Sequence, residues 1–530
     1  MPDKILNNIK PRKYQEDIFE TCKEKNCLVV LPTGIGKTLI ALMLSIYTQK
    51  KYPGSKTLFL APTRPLAEQH LNYFKKHLPE LFAELTLFTG KTIAKKRKEL
   101  WEYSDIIFST PQCIQNDLKN NLYSLEDTSL LIEDECHRCL KNYAYTDVAK
   151  AYNEQAKNPK VLGLTASPGT DKKTIKQIAK NLGIESIEVR TRESEDVKEY
   201  LQELKIETIK LDFPSELKEI QILLQELHKK KIEELKNRGV LFKPATKKNI
   251  LELQGSIMNR ISSGDRNFNV LAAASACAQA IKLQYSLELL ETQTISSLQR
   301  YMQDLFKQAE QKKSRAVQQL VKNPVFNQSY IKTTELIVKK IENPKLQKLK
   351  EIIEQEFRKD INKKIIVFSQ YRETIVKICK TLNEIPKVNA KAFVGQLKKG
   401  ETGLSQKEQQ EVLNKFREGS TNIIVASSIG EEGLDIIEVS AVIFYEPIPS
   451  AIRSLQRRGR TARLKPGKLI ILMNKNTIDE SYYWSAFHKE KKMYQAIESV
   501  KKDLDNGKTI LNDKTKQQLN TSDRNQKTLF

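Results

Sequence analysis

The chain has 530 residues and a formal net charge of +24, because 89 lysines and arginines outnumber 65 aspartates and glutamates. At the usual ~150 residues per domain this length predicts about three or four domains, and the charge favours a polyanionic partner such as a nucleic acid. The seven cysteines are scattered and odd in number, which argues against a disulfide framework. Because the sequence shows no run of ~18 apolar residues and no signal-peptide core, we expect a cytoplasmic protein without a membrane partner.

Residues 28–41 combine an apolar strand, a glycine-containing loop and the start of a helix. Glycines let backbone N–H groups turn toward an anion, and a helix N-terminus adds partial positive charge. We therefore expect Lys37 to reach the outer phosphates of ATP and Thr38 to hold Mg²⁺. The strict pattern has a glycine five residues before Gly36, where this chain has Leu31. The residues expected to contact the nucleotide here are Pro32, Thr33, Gly34, Ile35, Gly36, Lys37 and Thr38.

A predicted helix begins at residues 11–15, ahead of this loop. The carboxamide of Gln15 is able to hydrogen-bond N6 and N7 of adenine, which would select ATP over GTP. The alternative for Gln15 is an ordinary solvated helix position. We assign Arg12, in the same segment, to nucleotide binding as well.

From Leu28 to about Ile209 short apolar strands alternate with helical stretches, which predicts a parallel sheet with helices on both faces. Ligands bind at the carboxyl ends of the strands in such sheets. The predicted strands after the first are Thr57–Ala61, Ile106–Ser109, Leu130–Ile132 and Val161–Leu164, and the predicted helices cover 65–77, 91–101 and 172–182.

Two of these strand ends carry groups suited to phosphoryl transfer. The strand at 130–132 runs into Asp134 and Glu135. We expect Asp134 to hold Mg²⁺ opposite Thr38 and Glu135 to orient the attacking water, while two solvated acids are the alternative. At the next strand end, Thr165 and Ser167 supply hydroxyl groups that could pass the nucleotide state to a bound partner.

The motifs LPTGIGKT, APTRPLAEQ (61–69), STPQ (109–112), DECH (134–137) and TASPG (165–169) follow Gln15 in the order of a superfamily 2 helicase. The first half of the chain resembles the first RecA-like motor domain of that superfamily. The resemblance implies that Arg64 and Thr110 contact the backbone of a nucleic acid.

A helical region and a second alternating region follow. Between about Ser215 and Thr334 the apolar spacing is helical, and basic residues exceed acidic ones. Lys229–Lys231 and Lys247-Lys248 are candidates to bind a duplex or fork, with a solvated surface as the alternative. The αβ pattern returns at Lys345, with a helix at 346–359 and strands at 365–369, 423–426, 441–445 and 469–473.

Four residues at the strand ends of this second region complete the predicted nucleotide and nucleic-acid sites. Gly433 permits close approach of the backbone to a nucleotide, and Asp435 is able to accept from a ribose hydroxyl or an arginine. We assign Ser369 and Ser427 to nucleic-acid binding.

The segment QRRGRTAR (456–463) supplies arginines of the kind that stabilise charge on a transferring phosphate. If Ser450 or Ser454 caps a helix, Gln456, Arg460 and Arg463 recur at i, i+4 and i+7 and lie on one face. We therefore expect these three residues to be catalytic. The alternative is a basic helix that binds nucleic acid.

The stretches GLSQKEQQEVLNKFREG (403–419), FYEPIPSAIRSLQRRGRTAR (444–463) and SYYWSAFHKEKKM (481–493) resemble the archaeal Hef family of helicases and, less closely, FANCM-like translocases. Many members carry an XPF-like nuclease with a Glu-Arg-Lys motif. That motif does not occur in this sequence, so incision would need a separate XPF-like nuclease as a partner. The final residues Gln526–Phe530 resemble an archaeal sliding-clamp-binding peptide.

We therefore expect an α/β protein with two RecA-like parallel-sheet motor domains and an all-helical domain inserted between them. The expected bounds are 1–210 for the first motor domain, 211–335 for the insertion, 336–497 for the second motor domain and 498–530 for a disordered tail. The predicted function is that of an ATP- and Mg²⁺-dependent DNA helicase or translocase on branched DNA. A double-stranded RNA translocase of the RIG-I or Dicer type and a non-catalytic nucleic-acid scaffold are the alternatives.

Overall fold

The computed structural model describes residues 6–395, 403–430, 438–462 and 465–507. Within them the chain forms two parallel sheets with flanking helices and a helical bundle between the two in sequence. This arrangement confirms the predicted fold class. Among the described helices, none has the length and apolar character needed to cross a bilayer.

The first sheet has seven strands in the order β3-β4-β2-β5-β6-β1-β7. They are β1 (Cys27–Val30), β2 (Lys56–Leu60), β3 (Leu85–Phe88), β4 (Ile106–Ser109), β5 (Thr128–Asp134), β6 (Val161–Thr165) and β7 (Ser186–Val189). Central strands are apolar throughout because both sheet faces are covered: Leu28 and Val30 enter one core, and Val29 enters the other. The sequence pattern did not reveal β3 and β7, which are the two edge strands and are only partly buried.

The helices of the first motor domain pack on both faces of this sheet. They are α1 (Lys13–Glu24), α2 (Lys37–Lys51), α3 (Arg64–His77), α4 (Ala94–Tyr103), α5 (Pro111–Lys119), α6 (Ala144–Gln155), α7 (Lys172–Leu182) and α8 (Glu195–Lys198). Each of α2, α3 and α5 begins within seven residues of the end of a strand, so their N-termini lie at the carboxyl edge of the sheet.

The second sheet has six strands in the order β10-β11-β9-β12-β13-β8. They are β8 (Leu204–Leu211), β9 (Ile365–Phe368), β10 (Ala390–Phe393), β11 (Ile423–Ala426), β12 (Ala441–Phe444) and β13 (Gly467–Asn474). Strand β8 pairs with β13 along its whole length, so the boundary between the sheets precedes Leu204 rather than following residue 210. The sequence pattern did not reveal this, because β8 is a partly exposed edge strand whose partner lies far along the chain.

The inserted bundle consists of α9 (Ser215–Asn237), α10 (Lys247–Ser262), α11 (Phe268–Thr292), α12 (Ile295–Glu310), α13 (Arg315–Val321) and α14 (Pro324–Val338). Its end near the second motor domain shares a buried polar network with that domain. Lys345 Nζ donates to Asp479 Oδ2 at 2.7 Å and to Thr292 O at 2.8 Å, and both charged side chains are fully buried. The ion pair lies within the second domain, and the hydrogen bond from Lys345 to Thr292 O at the end of α11 attaches the bundle to that domain.

The second motor domain also contains α15 (Pro344–Lys359), α16 (Arg372–Leu382), α17 (Gln406–Glu418), α18 (Ala451–Arg458) and the 28-residue α19 (Ile478–Asp505). Helix α19 crosses to the first domain, where Met493, Ile497 and Val500 enter the core beside α7. Asp503 forms ion pairs with two residues of α7, Lys172 at 2.9 Å and Lys176 at 2.7 Å. The helix therefore continues eight residues beyond the expected boundary at 497, because its last turns are held by packing and ion pairs.

Candidate functional site

The phosphate loop connects β1 to α2, as the sequence predicts. Gly34 and Gly36 both have φ of 85°, in the left-handed region that glycine adopts without strain. Gly36 is the N-cap of α2 and provides no capping side chain, so the first N–H groups of that helix face the loop and suit a phosphate. Lys37 Nζ donates to Leu31 O at 3.1 Å, across the same loop.

Helix α1 supports the loop from outside. Gln15 is 3% exposed; its amide donates to Ile35 O at 3.3 Å and to Gly36 O at 3.2 Å, and its Oε1 accepts from Arg12 N at 2.9 Å. The Arg12 guanidinium lies over the ring of Tyr200, 5.0 Å from its centroid. The carboxamide of Gln15 therefore holds the loop backbone here. Adenine recognition by Gln15 and nucleotide binding by Arg12 remain predictions.

Asp134 and Glu135 end β5 at the same edge of the sheet. His70 Nε2 lies 2.9 Å from Asp134 Oδ2. Burial alone would raise the pKa of Asp134, but the hydrogen bond and charge of His70, with the charge of Lys37, hold it below its ordinary value. The preceding Glu133 points into the core, where burial raises its pKa well above the usual range. The pKa values of these two adjacent carboxyl groups are thus shifted in opposite directions.

Glu135 has left-handed backbone angles, φ 50° and ψ 44°, which are uncommon for a non-glycine residue and typical of functional positions. Its Oε2 lies 3.3 Å from His137 Nδ1, and His137 Nδ1 lies 3.2 Å from Thr165 Oγ1. Ser167 N donates to Thr165 Oγ1 at 3.0 Å. Of the two hydroxyl residues expected to couple nucleotide and polymer, Thr165 therefore contacts the acidic motif through His137, and Ser167 contacts Thr165 through its backbone N–H.

The donor set fits a magnesium ion. Mg²⁺ prefers oxygen ligands and binds through one or two carboxylates, hydroxyls and phosphates. Asp134 and Thr38 supply a carboxylate and a hydroxyl oxygen, and both side chains contact the ring of His70. When bound beside ATP, the ion would neutralise charge on the β- and γ-phosphates.

The second motor domain brings its arginine segment to the phosphate loop. Ser450 caps α18 by accepting from Arg453 N, as the sequence predicts. The helix ends at Arg458, however, and Arg460 lies in the following turn. The expected common helix face of Gln456 and Arg460 is therefore wrong, because Gly459 ends the helix between them.

Gly459 lies where the second motor domain meets the phosphate loop of the first. A Cβ at this position would lie 1.4 Å from Thr33 Oγ1 and 2.7 Å from Thr33 Cβ. Gln456 and Arg460, on either side of this contact, are 2% and 8% exposed. A glycine is needed because the end of α18 rests directly on the phosphate loop, which the sequence could not show.

Helix α19 contacts the same segment. Arg458 donates to Glu490 on α19, and the Lys489 ammonium donates to Pro449 O at 2.7 Å. The helix that joins the two motor domains is therefore also attached to both ends of α18.

The residues assigned to nucleic acid lie in different surroundings. Arg64 begins α3 and Thr110 is the N-cap of α5, and both are partly exposed at the ends of the adjacent strands β2 and β4. Ser427 is also partly exposed. Ser369 is fully buried, and its hydroxyl lies 3.4 Å from Gln293 Oε1 of the inserted bundle, so it presents no surface to a polymer.

Three groups of predicted residues lie outside the described ranges. They are the loop residues Gly433 and Asp435, the third arginine Arg463, and the clamp-like peptide Gln526–Phe530. Their roles remain predictions.

Comparisons with known proteins match this arrangement. Family models match three consecutive stretches: “DEAD/DEAH box helicase” at 12–175, “Putative ATP-dependent RNA helicase, helical bundle” at 216–343, and “Helicase conserved C-terminal domain” at 344–465. The solved Hef helicase domain of Pyrococcus furiosus is 42% identical, with a TM-score of 0.70, and the match covers 91% of this chain and 100% of that one.

Curated relatives are longer than this chain. A “Putative ATP-dependent RNA helicase” of Methanocaldococcus jannaschii is 38% identical over 93% of this chain and 61% of its own length. The ATP-dependent DNA helicase mph1 of Neurospora crassa is 31% identical over 89% of this chain and 41% of its own length. The chain thus spans between about two fifths and three fifths of these relatives.

Proposed function

This chain belongs to the Hef family of DEAD/DEAH box helicases, and we propose that it is an ATP-dependent motor that translocates on or unwinds branched DNA during replication-fork repair. The contact between Gly459 and the phosphate loop carries this proposal. A motor of this kind needs two domains that meet at the nucleotide, so that hydrolysis changes their separation.

The residues have distinct tasks in this proposal. The loop backbone and Lys37 bind the phosphates, and Thr38 and Asp134 hold Mg²⁺. Glu135, fixed by its left-handed backbone, orients the attacking water. Arg460, delivered from the other domain beside Gly459, stabilises charge on the γ-phosphate, a role that we extend to Arg463.

The far end of the inserted bundle supports branched DNA as the substrate. Helix α11 has 25 residues and is therefore about 37 Å long, and its Thr292 end is fixed to the second motor domain. At the other end Phe242 and Phe268 are 88% and 84% exposed, and residues 229–268 contain ten lysines or arginines against four acids. Exposed aromatics in a basic surface suit unpaired bases flanked by phosphates.

The salt dependence of fork binding distinguishes the contribution of base stacking from that of charge at this end of the bundle. Replacing Phe242 and Phe268 together by alanine should weaken fork binding by about 1–3 kcal/mol per stacked base with no change in the salt slope. Replacing the exposed Lys229 and Lys230 should instead reduce the slope by about 0.9 for each phosphate that the variant no longer neutralises. Unchanged fork affinity in both variants would contradict a DNA-binding role for this end of the bundle.

The decisive assay compares activators of ATP hydrolysis: single-stranded DNA, a DNA fork, a four-way junction and double-stranded RNA. We expect the strongest stimulation by fork or junction, with Glu135→Gln and Lys37→Ala as inactive controls. Stimulation by RNA alone would favour an RNA translocase, the alternative that the name of the M. jannaschii relative suggests. Folded protein that binds ATP without responding to any polymer would favour a scaffold.

A further inference from the structure

His70 is buried between the two side chains that we expect to hold Mg²⁺, although no sequence motif assigned it a role. It lies one residue beyond the motif APTRPLAEQ and is 7% exposed. Its Nε2 is 2.9 Å from Asp134 Oδ2, and its Nδ1 is 3.5 Å from Thr38 Oγ1. One imidazole thus contacts a side chain from the phosphate loop and one from the acidic motif.

The carboxylate fixes the direction of one hydrogen bond, and the protonation of the ring decides the direction of the other. An ionised carboxylate only accepts, so Nε2 carries a hydrogen and donates it to Asp134. When the ring is neutral, Nδ1 is then an acceptor for the hydrogen of the Thr38 hydroxyl, whereas a protonated ring would donate to the hydroxyl oxygen. A hydroxyl that ligates a cation must direct its lone pairs at the ion and its hydrogen elsewhere. His70 provides the place for that hydrogen, and it leaves Asp134 Oδ1 for the ion.

The ring is held in this orientation by aromatic packing. Its centroid lies 4.4 Å from that of Phe59, at an interplanar angle of 34°. Phe59 in turn stacks on Phe108 at 5.3 Å. Both phenylalanines are fully buried strand residues, so the imidazole rests on a rigid surface.

From this geometry we infer that His70 is a positioning residue that presents Asp134 and Thr38 to Mg²⁺. The inference rests on the proposed ATP·Mg²⁺ site. Partners that hydrogen-bond metal ligands orient them, and losing such a partner typically costs about 10- to 100-fold in metal affinity or activity.

The test titrates Mg²⁺ against the binding of a fluorescent ATP analogue, which reports the ion without requiring turnover. His70→Phe keeps a ring on Phe59 but removes both hydrogen bonds, and we expect the half-saturating Mg²⁺ concentration to rise about 10- to 100-fold. His70→Gln keeps a donor and an acceptor at similar spacing, so its midpoint should lie within about threefold of wild type. His70→Asn, one methylene shorter, should behave like His70→Phe.

His77→Phe is a matched control on the same helix. His77 is also buried and packs on Tyr73, but its hydrogen bond goes to Asn7 O at 3.0 Å. Its replacement should leave the Mg²⁺ midpoint unchanged. A wild-type midpoint in His70→Phe, or a Gln variant as impaired as the Phe and Asn variants, would overturn the role of His70. Wild-type protein that binds the analogue without any Mg²⁺ dependence would overturn the proposed site as well.

Discussion

Gly459→Ala should uncouple the two motor domains without unfolding either. The backbone at Gly459 has φ −68° and ψ 8°, which alanine adopts without strain. The cost comes from the added methyl group, which would lie 1.4 Å from Thr33 Oγ1 and 2.7 Å from Thr33 Cβ. Rotation of Thr33 would relieve the first contact but not the second.

The expected loss of ATP hydrolysis follows from the distance that α18 must move. Carbon atoms in contact lie about 3.5–4.0 Å apart, so α18 must move away from the phosphate loop by about 1 Å even after Thr33 rotates. A misplacement of about 1 Å costs about 100-fold in rate, which corresponds to about 2.7 kcal/mol in the activation barrier. Arg460, in the turn that follows Gly459, moves with it.

The assay is steady-state ATP hydrolysis with saturating DNA, together with nucleotide binding and thermal unfolding. We expect kcat to fall about 100-fold while nucleotide affinity changes little. Gly255→Ala is the control, because Gly255 is an exposed glycine within α10 and, apart from the backbone of its own helix, no atom lies within 4 Å of an added Cβ there. That change should keep activity and add up to about 1 kcal/mol of stability. A folded Gly459→Ala protein with kcat within threefold of wild type would refute the argument.

Three other predictions use separate assays. Glu135→Gln should lower kcat about 100- to 10,000-fold and leave nucleotide affinity unchanged, and retained turnover would exclude Glu135 as the water-orienting residue. Lys345→Met should cost about 3–5 kcal/mol of unfolding free energy in urea, part of which a further Asp479→Leu change should restore; a neutral single variant would contradict the buried pairing. Ser369→Ala should leave DNA affinity within about twofold, whereas Arg64→Ala should weaken binding and reduce the salt slope by about 0.7–0.9; the reverse ranking would contradict the assigned surface.

The motifs could be recognised in the sequence because each consists of residues that are close together in the chain. A glycine loop between a strand and a helix binds phosphate wherever it folds, and an apolar strand that ends in acids places them at a sheet edge. The two motor folds and the helical insertion followed from apolar periodicity, which the central strands display strongly because both of their faces are buried. Edge strands such as β3 and β8 display it weakly, and they were missed.

The tertiary structure decided how distant segments meet. Glu133 and Asp134 are adjacent acids in the sequence, but only the fold directs one into the core and the other toward His70. Ser369 was assigned to nucleic-acid binding, yet it is buried against Gln293 of the inserted bundle. The role of Gly459 depends on a loop more than 400 residues earlier in the chain. The sequence alone thus determined which chemical groups the protein has, while long-range packing determined which of them act together, because contacts between remote segments leave no local pattern.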